Sequence, residues 1–414
     1  MKKKGISPFG MPSSAIRLLS VLTAALLMLF GVSVPAFASA SDTAASGALN
    51  NYLLGYMSWG VKAMGLDVLQ EKLENSGKPL PEVIVAVIDS GLNTANPFLT
   101  GRYIDGYNFI ADSSDYHDDQ YHGTMTSGII VDGTSSNVKI LPIKVNDQNG
   151  NGKMNNVARG IQYAIEHHAD VINLSLSAAD ANHTVDVLDD EIAAAVDAGI
   201  VVTVAAGNQA GDAADRYPAN KDNILTITSL DKNNVIGEKA NTGACVDFAL
   251  PGVKIWAPYK TVAFVDTGTS LAAPHAAAAA ALLKTWDKSL NQTEVFELLK
   301  QHAVDLGEKG FDTTYGWGML DLSDFDINAV YVRPTEPDAA IILGDADGDG
   351  QVTSIDAALM QRELADFSSG ASLLLRAADV DGDGDLQITD VTLLQRYLAE
   401  MDVPYSIGDS ITVS

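Results

Sequence analysis

Asp266-Thr-Gly-Thr-Ser-Leu-Ala-Ala-Pro-His275 runs without a break into the apolar stretch Ala276 to Leu283. A Gly-Thr-Ser turn feeding a helix sets the Ser270 hydroxyl and backbone N–H at the helix's positive end, where a developing negative charge is stabilised. The expectation is a helix whose first turn carries Pro274, because first-turn N–H groups have no helical partner to lose. Its alanines are small enough for burial on every side. On this stretch alone, a Ser or Thr capping a buried helix and a Ser acting as a nucleophile both stay open.

Two further stretches bear on that choice. Val83-Ile-Val-Ala-Val-Ile-Asp89-Ser-Gly91 reads as a short strand, buried on both faces, that ends in an acid and a Gly turn. His122-Gly-Thr-Met-Thr-Ser-Gly128 sets a His directly before a Gly at the head of an apolar segment. In parallel α/β sheets, functional groups collect at the carboxyl ends of strands. An Asp, a His and a Ser at such junctions supply three roles. The Ser is a nucleophile, the His takes and returns its proton, and the Asp fixes the imidazole tautomer and stabilises its cation.

Between these motifs the pattern alternates. Ile140 to Val145, Val171 to Leu176, Ile200 to Ala205 and Ile224 to Thr228 read as strands, and Val157 to His168 and Asp189 to Ala198 as helices between them. Repetition of strand and helix implies right-handed crossovers and a parallel sheet with helices on both faces, an α/β fold. The 414 residues, 47% hydrophobic and 7% aromatic, allow two or three folded domains. A formal net charge of −27 argues against nucleic acid and anionic membrane surfaces as partners. Solubility accounts for such acidity, and calcium ligation is the sharper reading. The single cysteine, Cys245, excludes an intrachain disulfide and any cysteine metal cluster, and its apolar setting marks it as a small buried hydrophobe.

Residues 1–40 read as a signal peptide. Lys2, Lys3, Lys4 and Arg17 form a basic region, Leu18 to Val34 an apolar run, and Ala36-Phe37-Ala38 and Ala38-Ser39-Ala40 two small-x-small cleavage candidates. An uncleaved membrane anchor is the alternative. Export with no disulfide suits a bacterium.

Ser175-Leu176 and Ala205-Ala-Gly-Asn208 join the three stretches above to make five motifs in order over roughly residues 50–328. In that set the chain resembles a subtilisin-like serine protease, a subtilase. The resemblance implies a three-layer α/β peptidase domain at 83–328, with Asp89, His122 and Ser270 as catalytic triad. Asn208 would offer its side-chain amide to the oxyanion beside the Ser270 N–H. Gly150-Asn151-Gly152 and Ser175-Leu176-Ser177 resemble the two edge segments that sandwich an extended peptide through main-chain pairing. Two ordinary surface loops are the plainer alternative. Residues 41–82, with Trp59, Gly60 and a helical stretch through Leu73, resemble the N-terminal segment of a mature subtilase and leave no room for a full propeptide. Three departures stand out. Met125 to Gly128 replaces the usual His and Val-Ala-Gly, Ser177 replaces a Gly beside the cleft, and 128–140 is too short for the family's calcium loop. The other histidines lack metal-ligand spacing.

Residues 329–343, with Arg333-Pro-Thr-Glu-Pro337, read as a linker. Beyond them Asp345-Ala-Asp347-Gly-Asp349-Gly350 recurs 34 positions later as Asp379-Val-Asp381-Gly-Asp383-Gly384. Carboxylates at loop positions one, three and five, Gln351 and Asp385 at seven, and Asp356 and Asp390 at twelve describe two EF-hand-like calcium loops, each running into one helix, around Ile355–Phe367 and Val391–Leu398. This doubled loop–helix, at 344–402, resembles a type I dockerin, a small all-α module, followed by a tail at 403–414. That resemblance implies two Ca2+ ions and docking to a cohesin module of a scaffoldin, as in cellulosomes. The combined expectation is a secreted serine endopeptidase, scaffold-attached, acting on peptide or protein substrates. Its chemistry needs no cofactor, and it has no membrane partner once the signal is cleaved. An inactive protease fold serving calcium-dependent assembly, or a self-processing maturation factor, are the competing readings.

Overall fold

The computed structural model describes residues 59–180, 182–329, 331, 341–346, 351–364, 378, 380–381, 386–399, 401–405, 407–408 and 410–411. Residues 1–40, read above as a signal peptide, lie outside them. Among the described residues no helix is long and apolar enough to cross a membrane.

Two helices open the domain, α1 (Trp59–Ala63) and α2 (Leu66–Glu74). Seven strands follow in chain order: β1 (Val83–Asp89), β2 (Tyr107–Asn108), β3 (Val138–Lys144), β4 (Val171–Leu174), β5 (Val201–Ala205), β6 (Leu225–Leu230) and β7 (Phe248–Pro251). They form one parallel sheet in the order β2-β3-β1-β4-β5-β6-β7. The chain starts at β1, winds to β3 on one side, then reverses to β4 on the other. A crevice opens beyond the carboxyl ends of strands at such a reversal.

Alternation along the strands builds three layers. Val83, Val85 and Val87 of β1 face the larger core, which includes α2, the helix α6 (Thr269–Trp286) and α7 (Gln292–Gln301). Ala86 and Ile88 face the second core, with α4 (Met154–Glu166) and α5 (Asp189–Asp197). The remaining helix, α3 (His122–Asp132), leads back from the sheet edge and buries Ile130 and Val131 in the larger core. A hairpin, β8 (Ile255–Tyr259) with β9 (Val262–Asp266), delivers the chain to α6. The two ends of the domain are knitted together. Lys72 on α2 donates to the carbonyls of Ser323 and Phe325, and the Leu322 N–H donates to the Met64 carbonyl. Cys245 is half-buried beside Ala206, Ala213 and Val246, and burial foremost, then the charge of Asp212, pushes its thiol up to about 11.

The position expected of Pro274 is corrected. Helix α6 starts at Thr269, so Pro274 is its sixth residue and lies in the second turn. A proline there removes the N–H that would bond the carbonyl four residues back, that of Ser270. Two expected boundaries also move. Strand β4 stops at Leu174, so Ser175 to Ser177 leave the sheet. In the C-terminal module, helices α8 (Ser354–Leu364) and α9 (Ile388–Leu398) share a core with Leu343, Ala346 and Ile407. Ile341–Ile342 pairs antiparallel with Ser410–Ile411, so residues read as linker and tail close on each other at the module's edge.

His275 generates a prediction. Its Nδ1 lies 2.8 Å from the Leu271 carbonyl, its Nε2 has no hydrogen-bond partner among the described residues, and the ring is fully buried against Gly60. Burial pushes its pKa from 6.5 down to about 4. The unfolded chain then binds a proton that the fold rejects. Stability is therefore complete above the unfolded pKa and is lost as the pH falls from about 6.5 towards 4, at roughly 1.4 kcal/mol per unit. The stability gap between wild type and His275→Leu, measured by urea unfolding, is expected to shrink by roughly 3 kcal/mol between about pH 7 and pH 4. A gap constant with pH would contradict a neutral buried ring.

Candidate active site

Strand β1 delivers Asp89 to the head of α3. The carboxylate is buried and accepts the Ser90 N–H at 2.7 Å. His122 Nδ1 lies 2.9 and 2.8 Å from its two oxygens. A carboxylate facing Nδ1 selects the tautomer with its proton there, leaving Nε2 as an acceptor. Gly123 makes the close approach possible, because a Cβ there would strike the Gly91 carbonyl and come within 3.2 Å of Asp89 Cβ.

Asp118, which sequence reasoning missed, braces this corner. It is fully buried. One oxygen accepts the N–H groups of Gln120 and Tyr121 at 3.1 and 2.6 Å; the other accepts the Thr124 N–H and hydroxyl at 2.8 and 2.6 Å. These bonds hold Tyr121 at φ 77°, a left-handed conformation that costs a bulky residue about 1–2 kcal/mol. The only local sign is an acid four residues ahead of the His. Lys144, the last residue of β3, was missed too. Its Nζ donates to Asp119, the Ser90 carbonyl and the Asn146 carbonyl at 2.7, 2.6 and 3.1 Å, tying β1, the His122 loop and the next loop together.

The electrostatics at His122 are a contest. Burial disfavours the imidazolium. Against it stand the charge and hydrogen bond of Asp89, then the charges of Asp118 and Asp266. The carboxylates prevail, and the pKa lies above the usual histidine value of 6.5.

Ser270 is the second residue of α6, with Asn208 facing it from the loop after β5. A Cβ built on Gly268 would sit 3.2 Å from Ser270 Oγ and 3.5 Å from Asn208 Nδ2, so both groups border the space that glycine leaves open. Asn208 Oδ1 accepts the Thr269 N–H at 2.9 Å. A backbone N–H only donates, so the oxygen end of the amide is fixed and the NH2 end remains a donor. No hydrogen bond runs from Ser270 Oγ to His122 among the described residues; bonds of this type commonly tighten only when substrate binds.

A cleft of about 480 Å³ opens beside Asp89 and His122, with Gly150–Asn151–Gly152 and Ser175–Leu176–Ser177 among its walls. All six expected substrate-binding residues line this one space. Ser270 and Asn208 do not. Met154 and Val157, unanticipated, supply apolar lining from α4. The Ser175 side chain is committed elsewhere, since its hydroxyl donates to the Ser270 carbonyl at 2.8 Å.

Of the expected calcium ligands, Asp347, Asp349, Asp379, Asp383 and Asp385 lie outside the described residues. Among the described residues no group of three or more His, Cys, Asp or Glu side chains is arranged to hold a metal. Asp345, Asp356 and Asp390 are buried carboxylates. Asp390 bridges its loop and helix by accepting the N–H groups of Val380, Asp381 and Gln387 at 2.8, 3.1 and 2.8 Å. Asp356 accepts the Thr353 N–H at 2.7 Å. Hard carboxylate oxygens of this kind fit calcium.

The model of the subtilase family (peptidase S8) matches residues 81–318, and that of the dockerin type I domain matches residues 343–399. Thermitase from Thermoactinomyces vulgaris is 34% identical over 215 residues, 50% of this chain and 76% of that protein. The minor extracellular protease Epr of Bacillus subtilis (strain 168) is 31% identical over 245 residues, 57% of this chain and only 37% of that longer protein. The crystal structure of a cold-adapted subtilisin-like serine proteinase superimposes with a TM-score of 0.54 at 28% identity, covering 59% of this chain and 90% of that one. A lanthipeptide protease, at 24% identity and a TM-score of 0.59, covers 66% of this chain and 95% of its own, a likeness of fold.

The carboxylate cage gives the second prediction. The His122 ring, followed by proton NMR in an otherwise intact chain, should titrate above 6.5. Asp89→Asn removes the nearest charge and should lower that midpoint by about one unit or more. An unchanged midpoint would show that Asp89 does not govern the ring.

Proposed function

Because the chain belongs to the subtilase family and carries a type I dockerin domain, we propose that it is a secreted serine endopeptidase attached to a cohesin-bearing scaffold. The observation that carries the catalytic part is the buried Asp89 carboxylate on His122 Nδ1, beside a cleft walled by residues 150–152 and 175–177.

A peptide lies in the cleft between 150–152 and 175–177. Neutral His122 takes the Ser270 proton at Nε2 as Oγ attacks the peptide carbonyl carbon. The oxyanion accepts hydrogen bonds from the Ser270 N–H and Asn208 Nδ2. His122 returns its proton to the departing amine, leaving an acyl ester on Ser270. Water, deprotonated by His122, then attacks the ester and restores the Ser270 hydroxyl. Asp89 orients the ring and stabilises the imidazolium.

Two carboxylate-rich loops would hold the calcium ions, one through Asp345, Asp347, Asp349, Gln351 and Asp356, the other through Asp379, Asp381, Asp383, Asp385 and Asp390. Calcium would supply folding energy to the docking module and no chemistry. The basic and apolar segment at 1–40 with its Ala-x-Ala sites, and a relative named as extracellular, support export.

Ser270→Ala is expected to abolish covalent labelling by a fluorophosphonate and to lower peptide hydrolysis by several orders of magnitude, leaving about 10³–10⁴ over water. Labelling that persists in the folded variant rules out Ser270 as nucleophile. An unlabelled, inert wild type would instead favour the binding-protein reading. Retention on an immobilised cohesin should need calcium and be lost in chelator or with Asp345→Ala plus Asp379→Ala. Peptidase activity should survive both treatments. Retention indifferent to calcium would refute the docking mode.

A further inference from the structure

We propose that Ser175 is a positioning residue for the nucleophile, its hydroxyl supplying from just beyond the end of β4 the hydrogen bond that Pro274 denies to the Ser270 carbonyl. The inference rests on Ser270 being the nucleophile.

In an α-helix the N–H of residue 274 would donate to the carbonyl of residue 270. Pro274 has no N–H, so the Ser270 carbonyl loses its helical partner at the head of a helix that is buried from Leu271 through Thr285. Ser175, one residue beyond the end of β4, provides a replacement at 2.8 Å. A hydroxyl carries a single hydrogen, and here its direction is fixed. Asn173 Nδ2 donates to Ser175 Oγ at 3.0 Å, occupying a lone pair and leaving the hydroxyl hydrogen for Ser270. Asn173 is held in turn, because Thr203 Oγ1 on the adjacent strand lies 3.3 Å from its Oδ1. Asn173, Thr203 and Ser175 are all buried. The relay runs Thr203, Asn173, Ser175, Ser270 carbonyl, crossing from β5 through β4 to α6.

The arrangement changes what the nucleophile is anchored to. An ordinary residue at 274 would tie the Ser270 carbonyl to its own helix. The Pro274–Ser175 pair ties it instead to the segment whose next two residues, Leu176 and Ser177, wall the cleft. The residue that carries the attacking atom and the segment that walls the cleft are then joined by one hydrogen bond. Small errors in their relative placement are costly to rate. A role for Ser175 in contacting substrate would be independent of residue 274; the positioning role is not.

Four proteins separate the two: wild type, Ser175→Ala, Pro274→Ala and the double variant, each measured for kcat and KM on a peptide anilide and for its rate of fluorophosphonate labelling. With Pro274 in place, Ser175→Ala should lower kcat and labelling about 10-fold with KM nearly constant, the worth of one hydrogen bond. With Pro274→Ala, whose new N–H reaches the same carbonyl, Ser175→Ala should change kcat by less than about twofold. Ser175→Thr keeps the hydroxyl and should keep most of kcat. Equal losses in both backgrounds, or a loss confined to KM, overturn the proposal. Should Ser175→Ala fail to fold, Ser175→Cys, which keeps volume and weakens the donor, enters the same comparison with the same criteria. Absence of labelling and turnover in the wild type sinks the nucleophile assignment itself, and this inference with it.

Discussion

A helix that touches a sheet on one side and other helices around the rest has no face left for bulky or solvated groups. That constraint governs α6. Ala276 to Ala281 are all fully buried, and so are Leu282 and Leu283 after them. Small side chains let the helix lie close against the sheet, which fixes where its first turn emerges beside β4 and β5. Interiors at this density do not absorb an added methylene without strain. The position of Ser270 is thus set by a stretch of alanines that touch no substrate.

Charge is the second organising element. His122 sits at the N-terminus of α3, where the helix dipole and burial both oppose a cation. Three carboxylates outweigh them. The imidazolium is therefore stabilised relative to that of an ordinary histidine, which in the proposed mechanism helps the state formed when Ser270 gives up its proton. The same carboxylates withdraw the neutral base on acidification. Lys144 belongs to this network without touching the ring, and it steadies the backbone from which Asp89 and the cleft wall both depart.

Much of the fold was legible in the sequence because buried parallel strands are written as continuous apolar runs, as in Val83 to Ile88, and because the family motifs sit at strand ends and helix starts. The meeting of Asp89 with His122 and the six residues lining one cleft follow from those junctions. What could not be read depends on contacts distant in sequence. Pro274 reads as a first-turn residue because nothing in the Gly-Thr-Ser turn shows that the helix already begins at Thr269. Ser175 looked like a cleft residue only, since nothing local shows a side chain turning to a carbonyl 95 positions away. Hairpin β8–β9 was hidden by Pro258, a poor strand former. The closure of 341–342 on 410–411 joins two-residue stretches, too short to carry a periodic signal.

The knitting of α2 to the end of the domain has a consequence in time. Lys72 reaches carbonyls 251 and 253 residues away, and Leu322 binds back to Met64. Contacts of such span close late, since most of the chain must be in place before they form, and folds rich in them assemble slowly. Bonds that form after the folding barrier are also those whose presence slows escape from the native state. Under the proposed function each copy would act among copies of itself, and an opened copy would be a substrate. When cleavage outpaces reclosing, survival is set by the rate of opening rather than by the depth of the native well. A clasp joining the two ends of the domain is placed where it would lengthen the native lifetime.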